Sequence, residues 1–317
     1  MSDYVELHAN SAFSFLRGAS MPEALVKEAV RLGLPGLALL DRDGVYGAPR
    51  LYQTAREQGQ LRPIVGAEIT MQDGTVVPLL VMNPTGYGNL SRLISTAKLE
   101  PRSTAVLADV APPEVASCLA PGEDPRERKR PCFATWQELS EHADGLIALT
   151  GDDDGPVLCG WRSAGASAAE HALDRLQAIF GRDRLYVEVQ RRRRRGEETP
   201  LRFLADLAAA RKLPLVATGG VRYATRRDRT VADVFTCLRQ HTTLDAAGRL
   251  LSPNAERQLR SPRAMSELFR DHPEAVANTV RLADRLDFTL KNLGYRFPDY
   301  PVGPGETMES VLRECTY

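Results

Sequence analysis

Residue types that bind metals follow the first three strands that the sequence predicts. His8 and Asn10 stand at the end of a predicted strand that begins at Tyr4, and the acidic run DRD at 41–43 follows the apolar segment GLALL. Glu68 lies towards the end of the third predicted strand. Histidine, aspartate and glutamate side chains that meet at one place are typical ligands of a divalent metal ion, which supports phosphoester hydrolysis. The pattern therefore indicates metal-dependent phosphoester chemistry.

The elements that position these residues alternate between strand and helix. Short apolar runs predict strands at residues 4–8, 36–40, 62–71, 75–82, 146–150, 185–189 and 215–218. The first intervening helix is predicted to be capped by Ser20, with Glu23 completing a capping box, and to end at Gly33. Repeated strand–helix units favour parallel strands, and about seven of them favour a barrel over an open doubly wound sheet. The carboxyl ends of barrel strands share one mouth, so the candidate residues are predicted to meet there.

The chain divides into three predicted segments. Residues 1–225 are predicted to form the barrel, and within them residues 101–131, which contain APPEV, APGEDP and RERKR, are interpreted as an exposed insert. Residues 226–285 are predicted to be a helical extension of the barrel domain. Residues 286–317 contain YRFPDYPVGPGE and are predicted to connect to a further domain, because a new helix starts near residue 307.

Composition limits the classes of protein to which the chain can belong. Its 317 residues include 41 Lys+Arg and 41 Asp+Glu, so the formal net charge is zero. Dedicated nucleic-acid binders are usually basic, so a role on DNA would have to rest on local patches. The five cysteines form no CxxC pair, which favours free thiols. The sequence shows neither an apolar run long enough to span a membrane nor a secretory signal, so we expect a cytoplasmic protein that does not enter a membrane.

The strongest basic patch is a run of five arginines. It consists of Arg191, Arg192, Arg193, Arg194 and Arg195. Like charges in a row usually mark a solvated loop, and contact with DNA phosphates or with an acidic partner is the alternative. Trp136 and Trp161 are predicted to be packing residues, because basic residues do not alternate with them as they do in single-strand binders.

Several motifs occur in an order that resembles a known family. They are ELHANSAFSFLRGAS, ALLDRDGVYGAPR, PIVGAEI, NPTGYGNLSRLI, ALTGDDDGPV, YVEVQRRRR and LPLVATGGVRYAT. Together they resemble the PHP (polymerase and histidinol phosphatase) domain, and more narrowly that of bacterial DNA polymerases of the polymerase III alpha-subunit type. The first motif has the form typical of the error-prone, damage-associated branch. The resemblance covers essentially the whole chain, and GYRFPDYPVGPGETMES is similar to the join with the polymerase core.

The resemblance implies both a fold and a parent function. The implied fold is α/β, the distorted TIM-like (β/α)7 PHP barrel with a helical carboxyl-terminal extension. The implied parent function is DNA-directed DNA synthesis across damage, without proofreading. In the family the polymerase carboxylates lie in the palm, downstream of this sequence, so the chain alone is not expected to transfer nucleotides. The implied partners are the remainder of the polymerase chain, DNA through the parent, and a sliding clamp and damage-response accessory proteins.

In active members of the family these motifs hold a metal cluster, and the resemblance implies that most of it is lost here. The substituted positions are Asn10, Arg17, Arg42, Arg192, Gly220 and Arg222. His8 and Glu68 remain, and Asp41 and Asp152 are the next candidates. A catalytic metal centre needs about three protein ligands, and arginine is a permanent cation. We therefore expect no catalytic residues in this mouth. Zinc or manganese is expected only if the remnant site binds a metal, and magnesium belongs to the polymerase core.

The substituted arginines are predicted to form an ion-pair network with Asp41, Asp43 and Glu68. For the two aspartates, salt bridging or helix capping is the expected role. The alternative is that the arginines bind a phosphate or a DNA backbone. Two other functions remain open for the chain. One is a metal-dependent phosphoesterase or 3′–5′ proofreading exonuclease, which needs a metal cluster. The other is a DNA-binding or partner-binding scaffold module, which the neutral net charge weakens.

Overall fold

Seven strands form one sheet in the part of the chain that the computed structural model describes, which is residues 4–99, 132–291, 293 and 301–316. The strands are β1 (Glu6–Ala9), β2 (Gly36–Arg42), β3 (Arg62–Thr70), β4 (Val76–Val81), β5 (Leu146–Leu149), β6 (Leu185–Gln190) and β7 (Leu215–Thr218). Each coincides with a predicted strand. The predicted insert at 101–131 lies outside the described residues.

Helices follow most of the strands and continue after the last one. They are α1 (Pro22–Arg31), α2 (Ala48–Gln58), α3 (Pro84–Leu99), α4 (Trp136–Glu141), α5 (Pro156–Ala164), α6 (Ala166–Phe180), α7 (Glu198–Arg211), α8 (Arg229–Arg239), α9 (Leu244–Ala247), α10 (Pro262–Leu268), α11 (Pro273–Ala283) and α12 (Met308–Thr316). The sequence did not predict α4, α5 or α9. The predicted packing role of Trp136 and Trp161 is confirmed, because both side chains lie against the main hydrophobic cluster.

The sheet runs in chain order from β1 to β7 and closes into a barrel. Closure comes from the segment after β7: the amide of Asn10 donates to the carbonyl of Val221 (2.8 Å), and the amide of Val221 donates to the carbonyl of His8 (2.9 Å). The predicted α/β barrel is therefore confirmed. The expectation that its strands are parallel is wrong for β4, which pairs antiparallel with both neighbours. The turn between β3 and β4 is too short to cross the barrel, so it can only form a hairpin.

Side chains alternate between the inside and the outside of the barrel. The inward set includes Val5, Leu7, Ala38, Leu40, Ile64, Leu80, Ile147, Leu149, Tyr186 and Val216. Neighbouring residues such as Leu39 and Val187 belong to a second cluster, which packs the strands against the surrounding helices. This period of two is the expected geometry of strands that are buried on both faces.

Helix α11 covers the end of the barrel at which the strands begin. The amide of Val5 donates to Oγ1 of Thr279 (3.2 Å), and Nδ2 of Asn278 donates to the carbonyl of Leu215 (2.8 Å). Leu282 and Leu286, from the end of α11 and just beyond it, join the inward cluster. The apolar end of the barrel is thereby closed, and the opposite end remains as the mouth.

Three local expectations have definite outcomes. The predicted cap of α1 is wrong: Met21 is the N-cap residue, and the hydroxyl of Ser20 instead donates to Asp228 (3.0 Å) and accepts from the amide of Ala224 (2.8 Å).

Four cysteines lie in the described residues and are free thiols, as predicted, while Cys118 lies outside them. Within the described ranges, no helix has the length and apolar character needed to cross a membrane.

Candidate functional site

Strand alternation places a polar layer directly above the apolar interior. Arg42 comes two residues after Leu40 in β2, and Glu188 comes two residues after Tyr186 in β6. The same side of β3 carries Glu68. Because side chains two apart share a face, these charged residues enter the mouth from inside the barrel wall.

His8 bridges two carboxylates at the centre of this layer. Its Nε2 lies 2.8 Å from Oε1 of Glu68, and its Nδ1 lies 2.7 Å from Oε1 of Glu188. All three side chains are buried. Burial alone would lower the pKa of His8, but the carboxylates of Glu188 and Glu68 outweigh it and raise this pKa well above the usual histidine value. Both ring nitrogens face carboxylate oxygens, and this arrangement favours the protonated imidazole, which donates from both nitrogens.

Arg42 occupies the other oxygen of Glu68. Its Nε donates to Oε2 of Glu68 (2.8 Å), and its Nη2 lies 3.6 Å from Oδ2 of Asp154. Burial disfavours the charged carboxylate, yet the Arg42 guanidinium and the His8 cation hold the pKa of Glu68 well below its ordinary value. The predicted pairing of Arg42 with Glu68 is confirmed.

A second group of ion pairs surrounds Asp152 and Asp153. Nη2 of Arg192 donates to Oδ2 of Asp152 (2.8 Å), and Nη1 of Arg257 donates to the same oxygen (3.2 Å). Nη1 of Arg192 also donates to Oδ2 of Asp153 (2.8 Å). Although burial opposes ionisation, the guanidiniums of Arg192 and Arg257 hold the pKa of Asp152 well below the usual range. Asp152 is therefore an ion-paired anion.

Asp41 and Asp43 do not form the predicted ion pairs. Asp41 accepts hydrogen bonds from the amide of Ser11 (2.8 Å) and from the hydroxyls of Ser11 (2.9 Å) and Ser14 (2.8 Å). Asp43 accepts from the amide (2.7 Å) and hydroxyl (2.8 Å) of Thr70. Among the described residues, neither aspartate forms a salt bridge, and Asp41 also accepts from the amide of Gly47, the N-cap residue of α2. The prediction of salt bridging is therefore wrong for both aspartates, because nearby hydroxyl and amide groups satisfy these buried carboxylates.

The remaining substituted positions have different surroundings. Nδ2 of Asn10 donates to the carbonyl of Leu40 (2.5 Å), so the side chain fastens the wall of the mouth. Arg17 lies in the loop after β1. Gly220 has φ +54°, and a Cβ there would overlap Oε1 of Gln190. The guanidinium of Arg222 contributes to the electrostatics of Asp152, and its Nε is buried without an acceptor among the described residues.

The arginine run is not a uniformly solvated loop. Arg191 is buried, donates to Oδ2 of Asp271 (2.6 Å) and to the carbonyl of Leu268 (2.7 Å), and lies over the ring of Phe269. Arg192 is buried in the mouth, and Arg194 donates to Oδ2 of Asp153. The prediction of a solvated loop is therefore wrong for Arg191 and Arg192, which face inward because acidic partners lie on both sides of the strand end. Arg193 and Arg195 are exposed, as expected for a loop.

The PHP domain profile matches residues 6–192 of the chain, which is more than half of its length. The chain belongs to the PHP family. An error-prone DNA polymerase from Symbiobacterium thermophilum is 38% identical over 316 residues, which cover 99% of this chain and 28% of that protein. An error-prone DNA polymerase from Anaeromyxobacter dehalogenans is 36% identical over 306 residues, covering 94% of this chain and 24% of that protein. This PHP chain thus spans about a quarter of the length of these relatives, and the predicted family is confirmed.

The solved structures to which the chain is similar share less of its sequence. An amidohydrolase from Chromobacterium violaceum shares 14% identity, covers 69% of this chain and 88% of that chain, and has a TM-score of 0.46. A lesion-specific endonuclease from Pyrococcus furiosus shares 11% identity, covers 70% of this chain and 49% of that chain, and has a TM-score of 0.40.

The PHP mouth contains residues that sequence reasoning missed. Glu188 had a detectable signal, because it is a single carboxylate between two valines in a buried strand. Asp153 stands in a run of three aspartates, in which the sequence does not show which one enters the mouth. Arg257 had no signal, since it comes from a segment without regular secondary structure after α9. These residues complete the ion pairs of the mouth.

The side chains of this PHP mouth do not fit a metal cluster. Both nitrogens of His8 contact carboxylates, both oxygens of Glu68 contact cations, and Oδ2 of Asp152 contacts two guanidiniums. Among the described residues, no group of three or more histidine, cysteine, aspartate or glutamate side chains is arranged to hold a metal ion. Binding a divalent ion would require these pairs to separate, which leaves buried guanidinium groups unpaired.

Proposed function

We propose that the chain is the PHP region of an error-prone DNA polymerase and acts there as a non-catalytic structural domain. The observation that carries this proposal is the alignment of 94–99% of the chain with proteins of that name. The parent would perform DNA-directed synthesis across damaged template, in the cytoplasm. Magnesium would act in its polymerase core, and a sliding clamp and damage-response accessory proteins would be its partners.

The ion pairs of the mouth support a structural role. Arg42, Glu68 and His8 connect β1, β2 and β3, and Glu188 extends the same chain of contacts to β6. The ion pair between Arg192 and Asp152 connects the segment after β6 to the segment after β5. Removing one partner from a buried pair typically costs about 3–5 kcal/mol, because the other charge stays buried. The mouth would thus stabilise the barrel rather than cleave a phosphoester.

An exposed apolar surface supports attachment to a larger body. Val231, Val234 and Leu238 form a stripe along α8 at i, i+3 and i+7, and Leu238 is 56% exposed. Leu244 and Leu250 follow it and are also more than half exposed. We call these five residues the α8–α9 face. Apolar residues concentrated in this way usually mark an interaction site.

The occupant that we propose for the α8–α9 face is the remainder of the polymerase chain. In the relatives, about three quarters of the protein lies outside the region that matches this chain. A covalently attached partner has a high effective concentration, so a modest apolar area is enough to hold it. In this proposal residues 1–225 are the barrel, 226–285 the extension that presents the face, and 286–317 the connector to the palm.

Hydrogen exchange and mutation together test this assignment. In the full-length polymerase, the backbone amide hydrogens of residues 229–250 should exchange with solvent more slowly than in the 317-residue chain, because the docked part of the polymerase covers them. Leu238→Asp should lower primer extension and the midpoint of thermal unfolding of the polymerase while leaving the unfolding of the 317-residue chain unchanged. Leu99→Asp is the matched control, because Leu99 is 74% exposed at the end of α3.

The results separate the parts of the proposal. A full-length parent without templated primer extension would contradict the polymerase assignment. The full-length polymerase could extend primers while its backbone amide hydrogens at residues 229–250 exchange as fast as in the 317-residue chain. That result would contradict only the proposal that the α8–α9 face is covered by the rest of the polymerase. A 317-residue chain that dimerises, and becomes monomeric with Leu238→Asp, would show that a second copy covers the face.

A further inference from the structure

Phe15 is the most exposed large apolar side chain among the described residues, with 76% of its surface accessible. It lies in the segment 11–18 that follows β1, and every other residue of that segment is buried or half-buried. The exposure is therefore confined to one aromatic ring on an otherwise packed loop. A single exposed apolar residue is ordinary on a protein surface, so the properties of this loop decide its interpretation.

The loop is fixed on both sides of Phe15. Directly before it, Oγ of Ser14 donates to Oδ1 of Asp41 (2.8 Å) in β2. Directly after it, the carbonyl of Leu16 accepts from Nη1 of Arg239 (3.1 Å) in α8. An aromatic side chain on such a fixed loop loses little conformational freedom when a partner covers it, which favours binding.

The backbone around Phe15 has two further properties of a binding loop. Leu16 has φ +58°, in the left-handed region that disfavours residues other than glycine. Such conformations cost free energy, persist only where surrounding contacts hold them, and concentrate at functional sites. In addition, the part of the chain that the structure describes provides no acceptor for the amides of Phe15 and Leu16. A partner that covers the loop would find these donors unused.

Phe15 lies beside the α8–α9 face. Arg239, which holds the carbonyl of Leu16, follows Leu238 in α8, and Leu238 is a member of that face. The loop and the helix are therefore in direct contact, and each presents an exposed apolar side chain next to that contact. An occupant that covers Leu238 is well placed to reach Phe15 as well.

We propose that Phe15 is the anchor of the docked domain: its ring inserts into an apolar pocket on the remainder of the polymerase chain. This inference rests on the proposed function, in which that remainder covers the α8–α9 face. The remainder is large enough to supply the pocket, since about three quarters of each relative lies outside the matched region. Aromatic residues that fill a desolvated pocket carry a disproportionate share of binding energy. The anchor thus fixes the position of the barrel, and the α8–α9 face adds apolar area around it.

Hydrogen exchange in the full-length polymerase and in the 317-residue chain tests the anchor. The backbone amide hydrogens of Phe15 and Leu16 should exchange fast in the 317-residue chain and more slowly in the polymerase. Phe15→Ala in the polymerase should reduce the additional protection of residues 229–250 at least about tenfold, because truncating an anchoring aromatic weakens docking. Leu99→Ala is the matched control: Leu99 is 74% exposed, and its truncation should leave this protection unchanged.

Thermal unfolding separates docking from folding. Because the ring is exposed, Phe15→Ala should leave the midpoint of thermal unfolding of the 317-residue chain unchanged. A lower midpoint would assign the ring a role within the barrel and overturn the proposal.

The exchange results distinguish this inference from the docking on which it rests. Protection of residues 229–250 without protection of the Phe15 and Leu16 amides would overturn the anchor and leave the docking assignment standing. Fast exchange of both segments would contradict both. Equal loss of protection with Phe15→Ala and Leu99→Ala would also overturn the anchor. Protection of Phe15 and Leu16 that appears only after single-stranded DNA is added would show that a nucleobase stacks on the ring instead.

Discussion

Nδ1 of His8 lies 2.7 Å from Oε1 of Glu188, and this contact joins the first strand of the barrel to the sixth. Both side chains are buried, so the charged imidazole has no access to bulk water. The raised pKa of His8 makes this pair a source of pH-dependent stability.

The sign of that dependence follows from proton binding. The folded state holds the His8 proton more tightly than the unfolded chain, so the stabilisation is complete below the unfolded pKa of about 6.5 and is lost as pH rises through the higher folded pKa. We expect the free energy of unfolding to fall between neutral and alkaline pH, measured by urea titration. His8→Gln should flatten that decline, and an unchanged slope in this variant would contradict the assignment.

Arg192 should be among the most sensitive positions of the mouth. Arg192→Met removes the ion pairs with Asp152 and Asp153 and leaves two acidic groups beside a buried space. We expect a loss of about 3–5 kcal/mol in the free energy of unfolding. Arg193→Met is the control, and its effect should stay within about 0.5 kcal/mol because the side chain is exposed. Similar losses in both variants would argue against the buried network.

Gly220 should tolerate no side chain. Its φ of +54° disfavours other residues, and a Cβ would displace Gln190, whose Nε2 donates to Glu188 (2.6 Å) and Thr218 (3.0 Å). Gly220→Ala should therefore destabilise the chain by about 1–3 kcal/mol more than Gly59→Ala does. Gly59 has φ +69° and ψ 0°, and no described atom lies within 4 Å of the point that a Cβ would occupy, so it reports the backbone cost alone. Equal unfolding midpoints for the two variants would show that Gln190 moves freely.

Metal content gives an independent check of the mouth. The ligand atoms of His8 and Glu68 are held by ion pairs, so the purified chain should retain far less than one zinc or manganese ion after dialysis against a weak chelator. Elemental analysis measures this directly. A stoichiometric metal ion would contradict our interpretation and would favour the phosphoesterase or exonuclease function, to be followed by hydrolysis assays.

The barrel could be predicted from local patterns, whereas the mouth could be predicted only in part. Apolar runs located every strand of the described residues, and strand ends located His8 and Glu68. The antiparallel β4 was missed because alternating strand and helix patterns do not reveal a hairpin between two adjacent strands. Arg257 was missed because it reaches Asp152 from 105 residues away along the chain. Pairings over such separations depend on the closed fold and leave no local pattern.

Ser20 is a second residue whose contacts could not be predicted from the local sequence. Its position before Pro22 satisfies the local requirements of a helix cap, yet its hydroxyl bonds to Asp228 and Ala224 instead. Tertiary contacts compete with local capping for the same hydroxyl, and here they prevail because the chain after β7 must be tied to the loop after β1. Sequence patterns state what a residue can do locally, and the fold selects among the options.

The position of α11 also has a consequence for the order in which the protein matures on the ribosome. Val5 is synthesised 274 residues before its hydrogen-bond partner Thr279. At typical bacterial elongation rates, the roughly 70 residues between β7 and Leu286 take about 3–14 s to synthesise. During that interval the strands are complete but their apolar end is open to water. The nascent barrel must therefore wait for α11 before it can finish folding.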